Sequence, residues 1–227
     1  MARVFSNVIG NFSGKLGNLS ARIAYGRTIL AARPASFNAP TDAAAMARRG
    51  TFLATIKFAL QVINLPVLCE IWKKVKPNDL SVYNQVVSAN YQLSSPTRPT
   101  INNIISPGGF AVDVQNVILD AEKLTAVIPA LNAVTIISPA EVHCSINAVI
   151  CYHDPLLEGD EAYSVIHLSQ VVPNYDFTQV YNLQMNLNII QKAIAARYDS
   201  SIVYLVVVPK TADEKVLQYS ATFVQAF

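Results

Sequence analysis

Apolar positions along this chain follow two periods, and the change falls near residue 100. Over 41–64 they recur at three and four, at Met46, Phe52, Leu53, Ile56, Ala59, Leu60 and Ile63. That spacing predicts a helix. Thr41 or Asp42 can accept its first-turn N–H groups, and Ala43, Ala44 and Ala45 favour it. Gly50 weakens its middle by roughly 1 kcal/mol relative to alanine. Pro66 ends it. A second helix is expected over 67–76, with Lys73, Lys74 and Lys76 at the negative end of its dipole. A third is expected over 80–91, capped by Asp79, with Leu80, Tyr83, Val87 and Tyr91 on one face. The stretch SSPTRPT at 94–100 reads as a linker between domains.

From residue 101 the period becomes two, with near-continuous β-branched runs. Strands are predicted at 109–117, 123–128, 133–138, 141–152, 163–172, 179–188, 202–210 and 217–227, with a helical turn inside 189–198. Short strands at this spacing predict an antiparallel sandwich. SIVYLVVVP at 201–209 is the most apolar run and should be a central strand. Phe227 ends the last strand and is expected to be buried or docked into another subunit.

Residues 1–40 fit neither regime. Glycines at 10, 14, 17 and 26 interrupt alternating residues such as Ile23, Tyr25, Thr28 and Leu30. The expectation is a hairpin or two short strands, then an extended arm through Ala32 to Pro40, which Pro34 and Pro40 keep out of helix. The chain thus reads as α+β. An N-terminal β-arm or hairpin (1–40) and short helices (41–93) precede a linker (94–100) and a C-terminal antiparallel Ig-like β-sandwich (101–227).

The N-terminal run also carries a pattern. Ser13-Gly14-Lys15 is followed by Gly17-Asn18. Gly26-Arg27 runs to Arg33-Pro34. Then come Pro40-Thr41, Arg48 or Arg49, and Phe52. With the following IWKKVKPNDLSVYNQV, these elements resemble a family of uncharacterised Bacteroidota proteins and related phage-type structural proteins. The resemblance covers about 80 residues. It departs at Ala44-Ala45, where a glutamine is common, and at Tyr83-Asn84, where Trp-Asn is usual. It implies a structural or assembly role and carries no enzymatic activity.

Composition sharpens this. Charged residues are 14% of the chain and apolar residues 52%, against about 25% charged in ordinary domains. Such a chain is not disordered, and it has apolar surface to hide in an assembly. The most apolar stretch, 52–69, is broken by Lys57, Gln61, Asn64 and Pro66, so no membrane span is expected. The N-terminus lacks the apolar core of a signal peptide. The expected location is cytoplasmic or in a virion, and an extracellular filament would need another export route.

Charge is also segregated. Residues 1–100 hold 12 Lys and Arg against three acids, and residues 101–227 hold five against 12, giving +9 and −7 for a net +2. The basic half of one copy can meet the acidic half of the next, and head-to-tail contacts of that kind build rings or filaments. An N-terminal strand could also add to a neighbour's sheet edge. The candidate assembly residues are Phe12, Lys15, Arg22, Tyr25, Arg27, Arg33 and Phe227.

Catalytic chemistry finds little support. The three histidines lie in no GxSxG or Cys-His context. His143, Cys144, Cys151 and His153 lack zinc spacing, and seven residues apart on one strand the two cysteines face opposite sides. Glu158, Asp160 and Glu161 read as a solvated acidic turn, with neither a DxDxDG calcium loop nor evidence of a glycosidase cleft. GNFSGKLGN superficially matches a phosphate loop, but Leu16 follows Lys15 where Ser or Thr is required. No cofactor or metal is expected. The reading is a self-assembling, non-enzymatic subunit, a filament or phage-particle component whose partner is itself. The rivals are a nucleic-acid-binding protein using the basic N-terminal half, and a sandwich module for adhesion or carbohydrate.

Overall fold

A computed structural model describes residues 2–4, 13–24, 26–32, 36, 39–77 and 79–227. The chain forms two compact units, Met1–Met46 and Ala47–Phe227.

The first unit is a four-stranded antiparallel sheet of β1 (Ala2–Val4), β2 (Gly14–Leu16), β3 (Leu19–Ala24) and β4 (Arg27–Ala32), in the order β1-β4-β3-β2. Two-residue turns set its register. Leu16 pairs with Leu19 and Ala24 with Arg27. Gly17 sits at φ +57° and Gly26 at φ +71°, conformations that favour glycine in tight hairpins. Residues 27–32 form the strand expected around Thr28 and Leu30, folded straight back onto β3. Of the arm beyond Ala32, residues 33–35, 37 and 38 lie outside the described residues.

Helix α1 spans Ala43–Ile63. Asp42 caps it, its Oδ1 accepting from the Ala45 N–H at 2.8 Å. The face it buries differs from the expected one. Ala54, Phe58, Ala59 and Val62 are fully buried, while Phe52, Leu53 and Leu60 are 51%, 49% and 45% exposed. The helix is apolar nearly all round, so periodicity alone could not choose the inward face. Helix α2 (Pro66–Val75) begins on its proline, a favoured first position, and the chain bends by 108° between α1 and α2. Helix α3 (Val82–Asn90) is capped by Ser81 rather than Asp79, the Ser81 hydroxyl accepting from the Asn84 N–H at 3.1 Å.

Seven strands follow. β5 (Gln115–Leu119), β6 (Lys123–Ile128) and β9 (Tyr181–Asn186) form one antiparallel sheet in the order β5-β6-β9. β7 (Glu141–Pro155), β8 (Tyr163–Val172), β10 (Tyr198–Thr211) and β11 (Phe223–Ala226) form another in the order β11-β10-β7-β8. A short helix, α4 (Ile189–Ala195), opens with a capping box between Asn188 and Gln191. The strand expected at 133–138 is absent. That segment is held instead by Gln218, whose Oε1 accepts from the Thr135 hydroxyl at 2.7 Å and whose Nε2 donates to the Ile136 carbonyl at 3.0 Å.

Two cores meet on the larger sheet. Ile146, Ala148 and Ile150 of β7 and Val203, Leu205 and Val207 of β10 face Leu124, Ile128 and Leu183 of the smaller sheet. The alternate residues Val149, Cys151, Tyr204 and Val206 face Phe58, Leu68, Ile71 and Trp72 of the helices. The unbroken apolar runs of β7 and β10 demand cover on both faces. The helices supply the second cover and so belong to the same unit as the sheets.

The boundary expected at 94–100 falls instead at Met46/Ala47. Its Pro- and Ser-rich sequence marks an ordered turn. The Ser95 Oγ accepts from the Arg98 N–H at 3.0 Å and donates to the Arg98 carbonyl at 2.7 Å. The Thr100 hydroxyl donates to the Leu93 carbonyl, and the buried Tyr204 phenol donates to that of Thr100, both at 2.6 Å. Nearby, the Asn90 Oδ1 accepts from the Ile104 N–H (2.8 Å) and from Asn103 Nδ2 (3.0 Å), tying α3 to the chain beyond the turn.

The turn also explains Gly50. A Cβ there would stand 2.2 Å from the Pro96 carbonyl oxygen. Gly50→Ala gains about 1 kcal/mol of helix propensity, but it must displace backbone, an overpacking that costs about 1–3 kcal/mol. The expected outcome is a lower unfolding temperature and a net loss of up to about 2 kcal/mol by denaturant titration. A more stable variant would show that Pro96 does not pack against α1.

Candidate assembly surfaces

Strand parity brings together three of the predicted assembly residues. Lys15 pairs with Ser20, Arg22 with Ile29, and Ala24 with Arg27. Residues directly opposite share a face, so Lys15, Arg22 and Arg27 lie on one face of the N-terminal sheet. Lys15 and Arg27 are each diagonal neighbours of Arg22, about 7–8 Å away across the ladder. All three are exposed. Ser20, Ile29 and Ala31 lie on the same face and, with Arg22, line a shallow cavity of about 320 Å³. The opposite face carries the buried Ala21 and Thr28. Phe12, Tyr25 and Arg33 lie outside the described residues.

Phe227 stands at one end of the second unit, 43% exposed. Its backbone is locked to β10, its N–H donating to the Ser201 carbonyl (2.8 Å) and its carbonyl accepting from the Ser201 N–H (3.1 Å). It lines a cavity of about 260 Å³ with Asp120, Tyr152, Tyr198 and Asp199. Of the two expectations for Phe227, burial is thus only partial.

That end of the unit is acidic. The β5–β6 turn brings Asp120, the end of β7 brings Asp154, the β7–β8 loop brings Glu158, Asp160 and Glu161, and the start of β10 brings Asp199. The Glu122 and Lys123 N–H groups, each 2.7 Å from Asp120 Oδ1, hold that carboxyl below the usual range. The His153 ring, 2.7 Å from Asp154 Oδ2, does the same for Asp154. Both are anions at neutral pH. Lys192 pairs with Glu122, and Lys57 reaches Glu161 at 2.7 Å.

A further region escaped the sequence reading. Between α1 and β8 lie two cavities of about 300 and 450 Å³, sharing Lys57, Glu161 and Tyr163. The Lys57 ammonium sits 5.2 Å from the centre of the Tyr163 ring. Burial pushes the Tyr163 phenol up to about 12. Leu60 walls one cavity and Leu53 the other. The only sequence signal was an apolar surplus on α1.

Cys144 and Cys151 lie in opposite cores of the second unit, so they and their neighbouring histidines do not converge on one ion. Among the described residues, no group of three or more His, Cys, Asp or Glu is arranged to hold a metal. No single helix there is long and apolar enough to cross a membrane.

No protein-family model and no curated protein matches the chain. Among solved structures, a β-glucosidase from Kluyveromyces marxianus is matched at 11% identity and a TM-score of 0.21. That match takes in 63% of this chain and 16% of the glucosidase chain.

Thiol labelling tests the two-core placement. Burial pushes Cys144 and Cys151 up to about 12, and thiolate is the reactive form. Cys69 is only half-buried, and none of the three is in a disulfide. A chromogenic thiol reagent should report about one cysteine in the native protein and all three in denaturant. Rapid native labelling of all three would refute the burial of β7.

Proposed function

We propose that this chain is a non-enzymatic structural subunit that assembles head to tail. The cationic face of β2, β3 and β4 in one copy docks on the acidic end of the next copy's second unit. The observation that carries this is the line formed by Lys15, Arg22 and Arg27 on one sheet face, with carboxylates gathered at one end of the other unit. A heterologous contact of this kind propagates as a ring or filament. The subunit of a filament or of a phage particle fits it equally.

The strand order supports an Ig-like reading of the second unit. Counted from β5 to β11, one sheet holds the first, second and fifth strands, and the other holds the fourth, third, sixth and seventh. The immunoglobulin constant-type sandwich divides its seven strands as first, second, fourth and fifth against third, sixth and seventh. Here the fourth strand alone has changed sheet. Exchange of a lone N-terminal strand is disfavoured, because β1 to β4 already pair with one another. The unit offers a preformed sheet instead.

A row of cations spaced by several ångströms also fits a phosphate backbone, and one experiment separates the two readings. Light scattering of purified protein should give particles much larger than 24.7 kDa at low salt, shrinking as salt shortens the screening length from about 10 Å at 0.1 M to about 3 Å at 1 M. Arg22→Glu with Arg27→Glu should weaken assembly at least tenfold, as should deletion of residues 1–33. If neither variant changes particle size, the head-to-tail reading fails. If size rises only when a single-stranded oligonucleotide is added, the nucleic-acid reading replaces it.

A further inference from the structure

The cavity at the acidic end of the second unit has walls suited to a positive charge. Its carboxylates are Asp120, from the β5–β6 turn, and Asp199, from the start of β10. Its aromatic walls are Tyr152, Tyr198 and Phe227. No lysine or arginine lines it. Lys192 of α4, whose charge reaches Asp120, is already paired with Glu122.

One polar group in these walls has no partner. Tyr152 is only 4% exposed, and its phenolic oxygen is buried without a hydrogen bond. Buried hydroxyls are nearly always bonded, so an orphan in a cavity wall marks a place for a ligand group. Burial and, after it, the Asp120 charge push this phenol up to about 12. At pH 7 it is a neutral hydroxyl whose oxygen can accept. Its ring stacks on that of Tyr198, with centroids 6.4 Å apart and planes 23° from parallel. Tyr198 is half-buried and lines the same cavity.

The chain completes a similar set elsewhere. In the cavities beside β8 the Tyr163 phenol is also buried and unbonded, and Glu161 supplies a carboxylate. There Lys57 supplies the cation, 2.7 Å from Glu161 Oε2 and 5.2 Å from the centre of the Tyr163 ring. The Tyr152 cavity repeats the ring and the carboxylate and lacks the cation. A metal ion does not fit it, since no group of three or more His, Cys, Asp or Glu among the described residues is arranged to hold one. Aromatic faces attract organic cations instead. Two carboxylates from different segments, a phenol oxygen and a ring suit a guanidinium better than an ammonium, because its planar fork of N–H donors also stacks.

We propose that this cavity is a recognition pocket for one guanidinium group, its plane against Tyr198 and its N–H groups shared among Asp120, Asp199 and the Tyr152 oxygen. The proposal rests on the head-to-tail reading above, and the side chain it assigns is Arg22 of the next copy. Arg22 is exposed at the middle of the cationic line, flanked by Lys15 and Arg27. Seating it centres that face on the acidic end and fixes a register that charge attraction alone does not.

Two measurements separate the pocket from the reading it rests on. The first uses the full chain carrying Arg22→Glu and Arg27→Glu, whose pocket no neighbouring copy fills. Titration with N-acetyl-arginine amide should shift the Tyr152 and Tyr198 ring resonances saturably. N-acetyl-lysine amide should bind about tenfold more weakly. The arginine probe should lose about tenfold in affinity when Asp199→Asn or Tyr152→Phe is added. Asp199 is the carboxylate to change, because Asp120 also holds the β5–β6 turn through the Glu122 and Lys123 N–H groups. Tyr152→Phe should leave the unfolding temperature no lower, because the hydroxyl it removes has no partner. The second measurement is light scattering at low salt, where Arg22→Lys keeps the charge yet should weaken assembly about tenfold. Equal binding of the two probes, or binding of neither, overturns the pocket whatever the state of assembly. Probe binding with assembly unchanged by Arg22→Lys upholds the pocket and overturns Arg22 as its occupant. A wild-type monomer at low salt that binds the probe does the same, and ends the head-to-tail reading as well.

Discussion

The pairing of β7 with β10 is the constraint on which the second unit rests. Thirteen registered residue pairs join these strands, and between 144 and 152 and between 202 and 208 nearly every residue is buried. A pair of strands apolar on both faces cannot be a surface of anything. One face needs the β5-β6-β9 sheet and the other needs the helices. Each fully buried aliphatic or aromatic side chain there contributes about 1.5–3 kcal/mol, so neither layer is dispensable. What looked like a helical region and a sandwich separated by a linker is therefore one body.

Much of this was legible. The 123–128 and 163–172 strands appear with the expected ends, and the most apolar run became an inner strand. These segments carry their own evidence, because alternation and β-branching are local. The failures were of three kinds. Ser94 to Thr100 has the composition of a linker, but its hydroxyls and prolines build a turn. The inward face of α1 could not be chosen, since large apolar residues occur on both sides, Leu53 and Leu60 outward and Phe58 and Val62 inward. The strand at 133–138 lost to a side chain 83 residues beyond Thr135, Gln218, which no local pattern reveals.

The candidate surfaces were half legible. Lys15, Arg22 and Arg27 were singled out for their charge, but their alignment follows from parity. The pairings Leu16–Leu19 and Ala24–Arg27 keep the sums of paired residues constant along each ladder, and that places all three on one face. The Tyr152 cavity was not legible, because which side chains line it depends on pairings between residues distant in sequence.

The β7–β10 pairing has a further consequence for how the chain is made. Paired residues such as Val149 and Tyr204 are separated by more than fifty positions. At about 5–20 residues per second on a ribosome, β7 is synthesised roughly 3–10 seconds before its inner partner exists. The β7–β8 hairpin can close at once, but it leaves the β10-facing edge of β7 bare, and one of its apolar faces has only the helices made before it. The chain thus spends part of its synthesis with that edge open. Neighbouring nascent chains on one message are the first partners that edge can meet.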